Sequence, residues 1–162
     1  MYVIIKSLIK ERDNSMAMLT GEYSHQLDAK NRMRIPAKLK KELGDEYYFC
    51  IGTNHCITVL SKAEAESQLE KLLSIRYSDL GKQKVLREIA KSFVQAVEDS
   101  QGRVVLPPEL RRHAQLGKDD KELMICGAIN RIEIWSKKVY DEYFSDSDEE
   151  DFDTRLSKLE DF

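Results

Sequence analysis

The sequence predicts an α+β fold in which two related halves form one pseudo-two-fold unit. Residues 28–39 recur as residues 99–110, and each copy has an acid, an arginine four positions later, a short apolar segment, a proline and a helical segment. Two apolar segments also recur 75 residues apart, 49–52 with 124–127 and 57–62 with 132–137. Two copies are too few for a solenoid, and each is too short to bury a large core alone. The halves are therefore expected to complete one another's core.

Each copy of the motif has the pattern of two short strands joined by a tight turn. Asp28 and Asp99 open the turns, where a carboxylate can accept backbone N–H bonds. Asn31 and Gly102 hold equivalent positions, and both residue types tolerate a positive φ. These four residues are predicted to structure the two loops.

A helix is predicted to follow each turn. Pro36 can open the first helix because its missing N–H costs nothing there, and Gly44 is predicted to end it. In the second copy, Leu110 and Ala114 are predicted to lie on one face of a helix that ends at Gly117. The four extra residues of the second half are expected in the loop of residues 117–120, because insertions fall in loops.

The connection between the halves is predicted to be helical. Ser61 with Glu64 has the form of a capping box, and a break is expected near residues 78–81. The apolar stripes of these helices indicate core or subunit packing rather than a cofactor site. The predicted division is an N-terminal extension, disordered or a mis-assigned start (1–17), a first half (18–64), a helical connector (65–92), a second half (93–138), and a C-terminal helix with an acidic tail (139–162).

Composition excludes several classes of protein. The chain has 162 residues, of which 34% are charged, and it has a formal net charge of −3. No apolar run approaches the roughly 20 residues of a membrane span. Three cysteines, an odd number, argue against a disulfide framework, and Cys50 and Cys126 are expected to pack in core strands as small hydrophobes. A cytoplasmic protein is expected.

Charge is unevenly distributed along the chain. Residues 28–41 contain six bases and one acid, whereas residues 99–112 contain three bases and two acids. The tail of residues 145–162 contains eight acids and two bases. Such a tail is expected to be solvated and partly disordered. The alternative is that the tail mimics DNA and competes with it for the face formed by the basic residues. The first half is expected to supply most of the affinity for phosphate.

Enzymatic and metal-binding alternatives have weak support. Asp28 and Asp99, one in each half, could be compared with an aspartic protease, but neither lies in the Asp-Thr/Ser-Gly turn of that chemistry, and an arginine would hold each ionised. The pair His55-Cys56 with Cys50 lacks the four ligands and spacing of a structural zinc site. No catalytic residue, metal or cofactor is therefore predicted.

The sequence resembles a known family. The order Gly21-Glu22-Tyr23, the two D-x-x-x-R turns, and the strand Asn130-Arg131-Ile132-Glu133-Ile134-Trp135 are similar to MraZ, a family of bacterial transcription regulators built from two tandem SpoVT–AbrB-like halves. The resemblance runs from about residue 18 to about residue 143. Two departures are Leu19-Thr20, where the family usually has an aromatic and a basic residue, and Asn31, where glycine is usual.

The resemblance implies a swapped-hairpin β barrel with peripheral helices and a closed ring of identical subunits. It also implies double-stranded DNA as the partner, bound through the D-x-x-x-R loops at short repeats in the promoter of the cell-division and cell-wall gene cluster, the protein's own gene included. The expected location is then the nucleoid. No small-molecule substrate is implied.

Loop placement identifies the residues that would contact DNA. An arginine at a loop tip can reach the two acceptors of guanine in the major groove, and lysines on a neighbouring helix can hold phosphates. Arg32 and Arg103 are thus predicted to read bases. The complete predicted DNA-binding set is Lys30, Arg32, Arg34, Lys38, Lys40, Lys41, Arg103 and Arg111. One subunit offers few contacts, so useful affinity is expected to need several copies.

One further hypothesis belongs to a different class. The chain could be an interaction protein of the antitoxin kind, in which an AbrB-like body binds DNA weakly and the acidic tail binds a partner protein. Deletion of residues 145–162 distinguishes the two, because a DNA regulator should keep or gain affinity for DNA, whereas a partner-binding protein should lose its partner.

Overall fold

The computed structural model of the chain describes residues 18–145 and 150–159. Its strands are β1 (Glu22–Gln26), β2 (Arg32–Met33), β3 (Tyr47–Ile51), β4 (Ile57–Ser61), β5 (Val94–Gln95), β6 (Val104–Val105), β7 (Glu122–Gly127) and β8 (Ile132–Ser136). Its helices are α1 (Ala37–Leu43), α2 (Lys62–Leu73), α3 (Leu80–Ser92), α4 (Pro108–His113), α5 (Lys137–Tyr143) and α6 (Phe152–Ser157). The predicted N-terminal extension lies outside the described residues.

Six strands form one sheet in the order β1–β7–β8–β4–β3–β5, and β2 pairs separately with β6. The α+β class predicted from the sequence is confirmed. A closed barrel is not found among the described strands, because the sheet ends at β1 on one side and at β5 on the other. The strand β5 has only two residues, which offers few backbone groups for closure onto β1.

Strands are exchanged between the halves. Strand β1 of the first half pairs with β7 of the second half, and β5 of the second half pairs with β3 of the first. At the centre of the sheet β4 pairs with β8, and Thr58 faces Glu133. These two positions lie 75 residues apart, as the repeat requires, so the centre of the sheet lies on the pseudo-two-fold axis.

The small sheet of β2 and β6 lies on the same axis. Met33 faces Val104 in this antiparallel pair. They are equivalent positions, 71 residues apart in the two copies of the motif, and both side chains are buried. The two D-x-x-x-R turns immediately precede these strands, so the register of β2 and β6 brings the turns together.

One buried cluster contains apolar residues of both halves, as the repeat predicts. Tyr47, Phe49 and Ile57 of the first half belong to it together with Leu110 and Ile125 of the second. Each of these side chains is at most 1% exposed. Neither half encloses this core alone, and a change in one half is therefore expected to affect the packing of the other.

The predicted helical connector is confirmed as two helices. The hydroxyl of Ser61 accepts the backbone N–H of Glu64 at 3.3 Å and caps α2. The carboxylate of Asp79 accepts the N–H of Lys82 at 3.2 Å and caps α3. The break between the helices, residues 74–79, overlaps the predicted residues 78–81. Within the described residues, no helix is both long enough and apolar enough to cross a bilayer.

The two motif helices end differently. Gly44 has a φ of 87° and ends α1, as predicted. The prediction that Gly117 ends the second helix is wrong, because α4 stops at His113 and Gln115 takes the positive φ of 57°. Hydrogen bonds from Gln115 and Leu116 back to the last turn close the helix there, before the chain reaches the glycine.

Candidate nucleic-acid interface

The first loop is organised by Asp28. Its Oδ1 accepts the backbone N–H groups of Lys30 at 2.8 Å and Arg32 at 2.9 Å. Its Oδ2 accepts Nε–H of Arg32 at 2.7 Å. The turn is closed by Asn31, which has a φ of 57°, so the left-handed position predicted there is confirmed. One carboxylate thus fixes both the backbone of the turn and the direction of the arginine.

The second loop repeats this arrangement. Oδ1 of Asp99 accepts the N–H groups of Gln101 and Arg103, each at 2.9 Å, and Oδ2 accepts Nε–H of Arg103 at 2.8 Å. Gly102 has a φ of 72° at the position of Asn31. The equivalence of the loops therefore extends from the sequence to each hydrogen bond of the aspartate.

These bonds keep both aspartates ionised. The backbone N–H of Arg32 is the largest cause that lowers the pKa of Asp28, and its guanidinium and the N–H of Lys30 act in the same direction. The pKa of Asp99 is lowered in the same way, chiefly by the N–H of Arg103. Because an aspartic protease needs two carboxylates that share one proton, carboxylates stabilised in the charged form do not suit that chemistry.

The two loops contact each other. Nη1 of Arg32 lies 3.7 Å from Oδ2 of Asp99, which also accepts Nε–H of Arg103. The side chains of Arg32 and Arg103 are 22% and 28% exposed, so neither is buried and neither extends freely into solvent. Since each aspartate takes Nε, both terminal nitrogens of Arg103 remain to form a fork for two acceptors, whereas Nη1 of Arg32 already faces Asp99.

The loop tips differ in what surrounds them. The ammonium of Lys121 donates to Oδ1 of Asn31, and the carbonyl of Lys121 accepts the N–H of Leu27 at 2.8 Å. At the other tip a Cβ added to Gly102 would meet nothing within 4 Å. The contact between Lys121 and Asn31 was not predicted from the sequence, because the two residues lie 90 positions apart. The only sequence feature that marks Lys121 is its place after the inserted loop.

The cations predicted to contact phosphate fall into two groups. The side chains of Lys30, Arg34, Lys38 and Lys41 are exposed and have no bonded partner among the residues that the structure describes. Lys40 instead forms an ion pair with Glu98 at 3.1 Å and lies 5.3 Å from the centre of the Tyr47 ring. Nε of Arg111 donates to the carbonyl of Leu106 at 3.1 Å, which leaves only the end of its guanidinium available.

His55 and His113 contact backbone carbonyls, and Cys50 is buried. His113 lies 2.9 Å from the carbonyl of Gly52 through Nε2, and His55 lies 3.1 Å from the carbonyl of His113 through Nδ1. Burial raises the pKa of Cys50 to about 11, which suits a thiol packed as a hydrophobe. Across residues 18–145 and 150–159, no three His, Cys, Asp or Glu side chains converge as a metal site would require.

Comparison with known proteins identifies the family. A family model described as "MraZ protein, putative antitoxin-like" matches residues 18–88 and 94–162. Proteins named transcriptional regulator MraZ are similar over most of their length. The one from Carboxydothermus hydrogenoformans is 36% identical over 78% of this chain and 86% of its own. The one from Halothermothrix orenii is 36% identical over 89% and 98%. The one from Thermoanaerobacter pseudethanolicus is 37% identical over 81% and 90%. With both repeats matched and relatives above 30% identity covering most of the chain, the protein belongs to the MraZ family.

Proposed function

We propose that this protein is a transcription regulator that binds double-stranded DNA through its two D-x-x-x-R loops. The observation that carries the proposal is the adjacency of the loops, since Arg32 of one contacts Asp99 of the other at 3.7 Å. The names of the relatives, transcriptional regulator MraZ, support the same function. A regulator of this kind would act at the nucleoid and would not be an enzyme.

The chemistry of the loops suits a duplex. Two guanidinium groups, each aimed by a carboxylate, lie beside the small sheet that joins the halves. Exposed cations such as Lys38 and Lys41 lie on α1, which follows the first loop. Arginines can read the edge of guanine in the major groove while lysines hold the phosphates on either side.

We also propose that identical subunits assemble into a ring that binds short repeated sites in the promoter of the protein's own gene and its cell-division cluster. A single subunit presents few contacts to DNA, and linked copies raise the overall affinity. The break between α2 and α3 exposes apolar side chains that suit a subunit contact. Leu73 is 83% exposed, and Tyr77 and Leu80 are each 81% exposed.

Binding to the DNA upstream of the protein's own coding sequence tests the DNA-binding proposal. A footprint and a titration with that duplex, compared with a scrambled duplex, are expected to show preferential protection of short repeats. The double variant R32A/R103A is expected to lose the preference. Equal affinity of the parent protein for both duplexes would contradict the proposal.

Light scattering of the full chain tests the ring. The parent protein is expected to give a mass several times that of one chain, and L73E/L80E is expected to lower it. The matched variant K84E changes an exposed residue on α3 that is not apolar and should leave the mass unchanged. A parent protein that is monomeric at micromolar concentration would disprove the assembly without affecting the DNA-binding test.

A partner-binding protein of the antitoxin kind is the second candidate, and one surface favours it. Tyr143, Phe144 and Phe152 are 49%, 57% and 67% exposed near the acidic tail. Exposed aromatic side chains are common in protein interfaces. The wording of the matching family model, which includes antitoxin-like, points the same way.

A further inference from the structure

We propose that the two loops have different tasks in DNA recognition. Loop 99–103 reads bases through Gln101, Arg103 and the neighbouring Val105, whereas loop 28–32 anchors the protein to phosphates. Arg32 is then a positioning residue that holds the second loop rather than a reader. This inference rests on the proposed function and assigns Gln101 and Val105 a role in specificity.

The two arginines are bonded unequally. Arg32 contacts two carboxylates, Asp28 through Nε at 2.7 Å and Asp99 through Nη1 at 3.7 Å. Arg103 contacts Asp99 alone among the described residues. The terminal nitrogens of Arg103 are therefore the less engaged fork, and only that fork has both nitrogens ready for the two acceptors of guanine.

Equivalent positions of the repeat differ in charge. Where the first copy has the cations Lys30, Arg34 and Lys38, the second has the uncharged or acidic residues Gln101, Val105 and Glu109. On α4, Arg112 is paired with Glu109. The first copy thus presents several unpaired positive charges to a polyanion, whereas Arg111 and Arg112 of the second copy are bonded to Leu106 and Glu109.

The second loop carries side chains of the types that read bases. A glutamine amide can pair with adenine, an arginine with guanine, and an apolar side chain with the methyl group of thymine. Gln101 is exposed at the loop tip, and Val105 is 54% exposed on β6 beside Arg103. Lys30 at the equivalent tip suits a phosphate contact, which carries no sequence information. The second loop therefore has the chemistry of readout.

The two loop tips also differ in how closely their backbone can approach a ligand. The tip at Gly102 is bare, with nothing within 4 Å of an added Cβ, so its backbone can approach base edges closely. At the equivalent position Asn31 carries a side chain whose amide oxygen is occupied by Lys121. That lysine adds one more positive charge to the first loop, which fits an anchor on the backbone of the duplex.

Selection from a library of randomised duplexes tests this division. The full-length parent protein defines a consensus. The variants Q101A and R103K, the second of which preserves charge, are expected to lose information at one or more base pairs of that consensus. K30Q and K38Q are expected to retain the consensus, to weaken binding to all duplexes alike, and each to reduce the slope of log affinity against log salt by about one.

Arg32 is tested by R32K, which keeps the charge but removes the fork. The consensus should persist, while the guanidinium NMR signal of Arg103 Nε–H should shift or exchange faster because Asp99 has lost one partner. An unchanged Arg103 signal would contradict the positioning role.

The division is overturned if Q101A and R103K select the parental consensus, or if R32K abolishes that consensus. A parent protein that selects no duplex would instead disprove the DNA-binding function itself. Thermal melts exclude unfolded variants, and Q101A, at an exposed tip, keeps the test decisive if R103K fails to fold.

Discussion

Single residues decide the local geometry of both loops. Asp99 accepts three N–H groups, two from the backbone and one from Arg103, and a guanidinium nitrogen of Arg32 lies nearby. Its carboxylate therefore connects the turn to both arginines. Loss of its charge is expected to free both side chains while an isosteric amide still accepts backbone bonds.

The variant D99N is expected to lower stability in a manner that depends on pH. The pKa of Asp99 is lowered from its ordinary value of 3.8, so the unfolded state takes up the proton first as the pH falls. The stabilisation is therefore complete above about pH 4 and disappears as the pH decreases through the lowered pKa. Denaturant unfolding at several pH values should show that the difference in free energy of unfolding between the parent protein and D99N becomes smaller below pH 4.

D119N serves as a matched control, because Asp119 is exposed. Its free energy of unfolding should differ little from that of the parent protein at any pH. If the gap between parent protein and D99N stays constant down to pH 2, the aspartate does not stabilise the fold through its charge.

Gly127 lies where the end of β7 approaches the backbone of Leu19 and Thr20. A Cβ at this position would lie 2.4 Å from the backbone carbon of Leu19 and the backbone nitrogen of Thr20. Backbone atoms cannot move aside cheaply, so G127A is expected to cost about 1–3 kcal/mol of the free energy of unfolding. Urea unfolding monitored by circular dichroism measures the loss.

The matched change G81A should have the opposite sign. Gly81 lies in α3 with only Asp79 Oδ1 at 3.7 Å, and alanine favours helix by up to about 1 kcal/mol. Equal effects of G127A and G81A would show that the close approach at Gly127 is relaxed in solution.

At the scale of elements, α1 presents lysines of two kinds. Lys38 and Lys41 are exposed, whereas Lys40 is turned toward Glu98, to which Tyr47 also donates at 2.8 Å. Lys40 thus joins the first motif helix to the segment before the second motif. Its position in the charge cluster predicted a phosphate contact, but its bonding indicates a structural role.

We expect K40Q to lower the melting temperature with little change in the salt slope of DNA binding. K38Q and K41Q should do the reverse, reducing affinity for all duplexes and the slope by about one each while leaving the melting temperature unchanged. Fluorescence titrations at 50–300 mM salt, with a thermal melt of each variant, distinguish the two kinds of lysine. A slope reduced by K40Q as much as by K38Q would restore Lys40 to the phosphate-binding group.

The difference between these lysines shows what the sequence could predict. Local signals were sufficient for the capping hydroxyl of Ser61 and for the left-handed turns at Asn31 and Gly102, because neighbouring residues determine those conformations. The partners of Lys40 and Asn31 could not be predicted, since Glu98 and Lys121 come from the other half of the repeat. Periodicity indicates faces of helices and strands, but it does not identify long-range partners.

At the scale of the whole molecule, the repeat explains why the loops meet. Both sheets lie on one pseudo-two-fold axis, with Thr58 facing Glu133 in one and Met33 facing Val104 in the other. Strand exchange through β1 and β5 makes each half depend on the other. Divergence of the two copies can therefore change surface charge without separating the loops, as the proposed division of tasks requires.

The charge of the acidic tail is expected to affect DNA affinity. Deletion of residues 145–162 removes eight acids and two bases, which changes the formal net charge from −3 to +3. Less repulsion from the DNA polyanion is expected to keep or raise affinity, most clearly at low salt where screening is weak. Titration of the upstream duplex with the parent and the truncated protein at 50 and 200 mM salt measures the effect.

A full-length variant in which the tail acids are replaced by their amides separates charge from chain length. If repulsion is the cause, this variant, whose tail keeps only Arg155 and Lys158 as charged side chains, should gain at least as much affinity as the deletion, and the gain should shrink at 200 mM salt. If the tail binds a partner protein, both changes should leave the affinity for DNA unchanged and should abolish binding of that partner. A deletion that abolishes DNA binding while the oligomer persists would contradict both accounts, because it would make the acidic segment part of the DNA-binding surface.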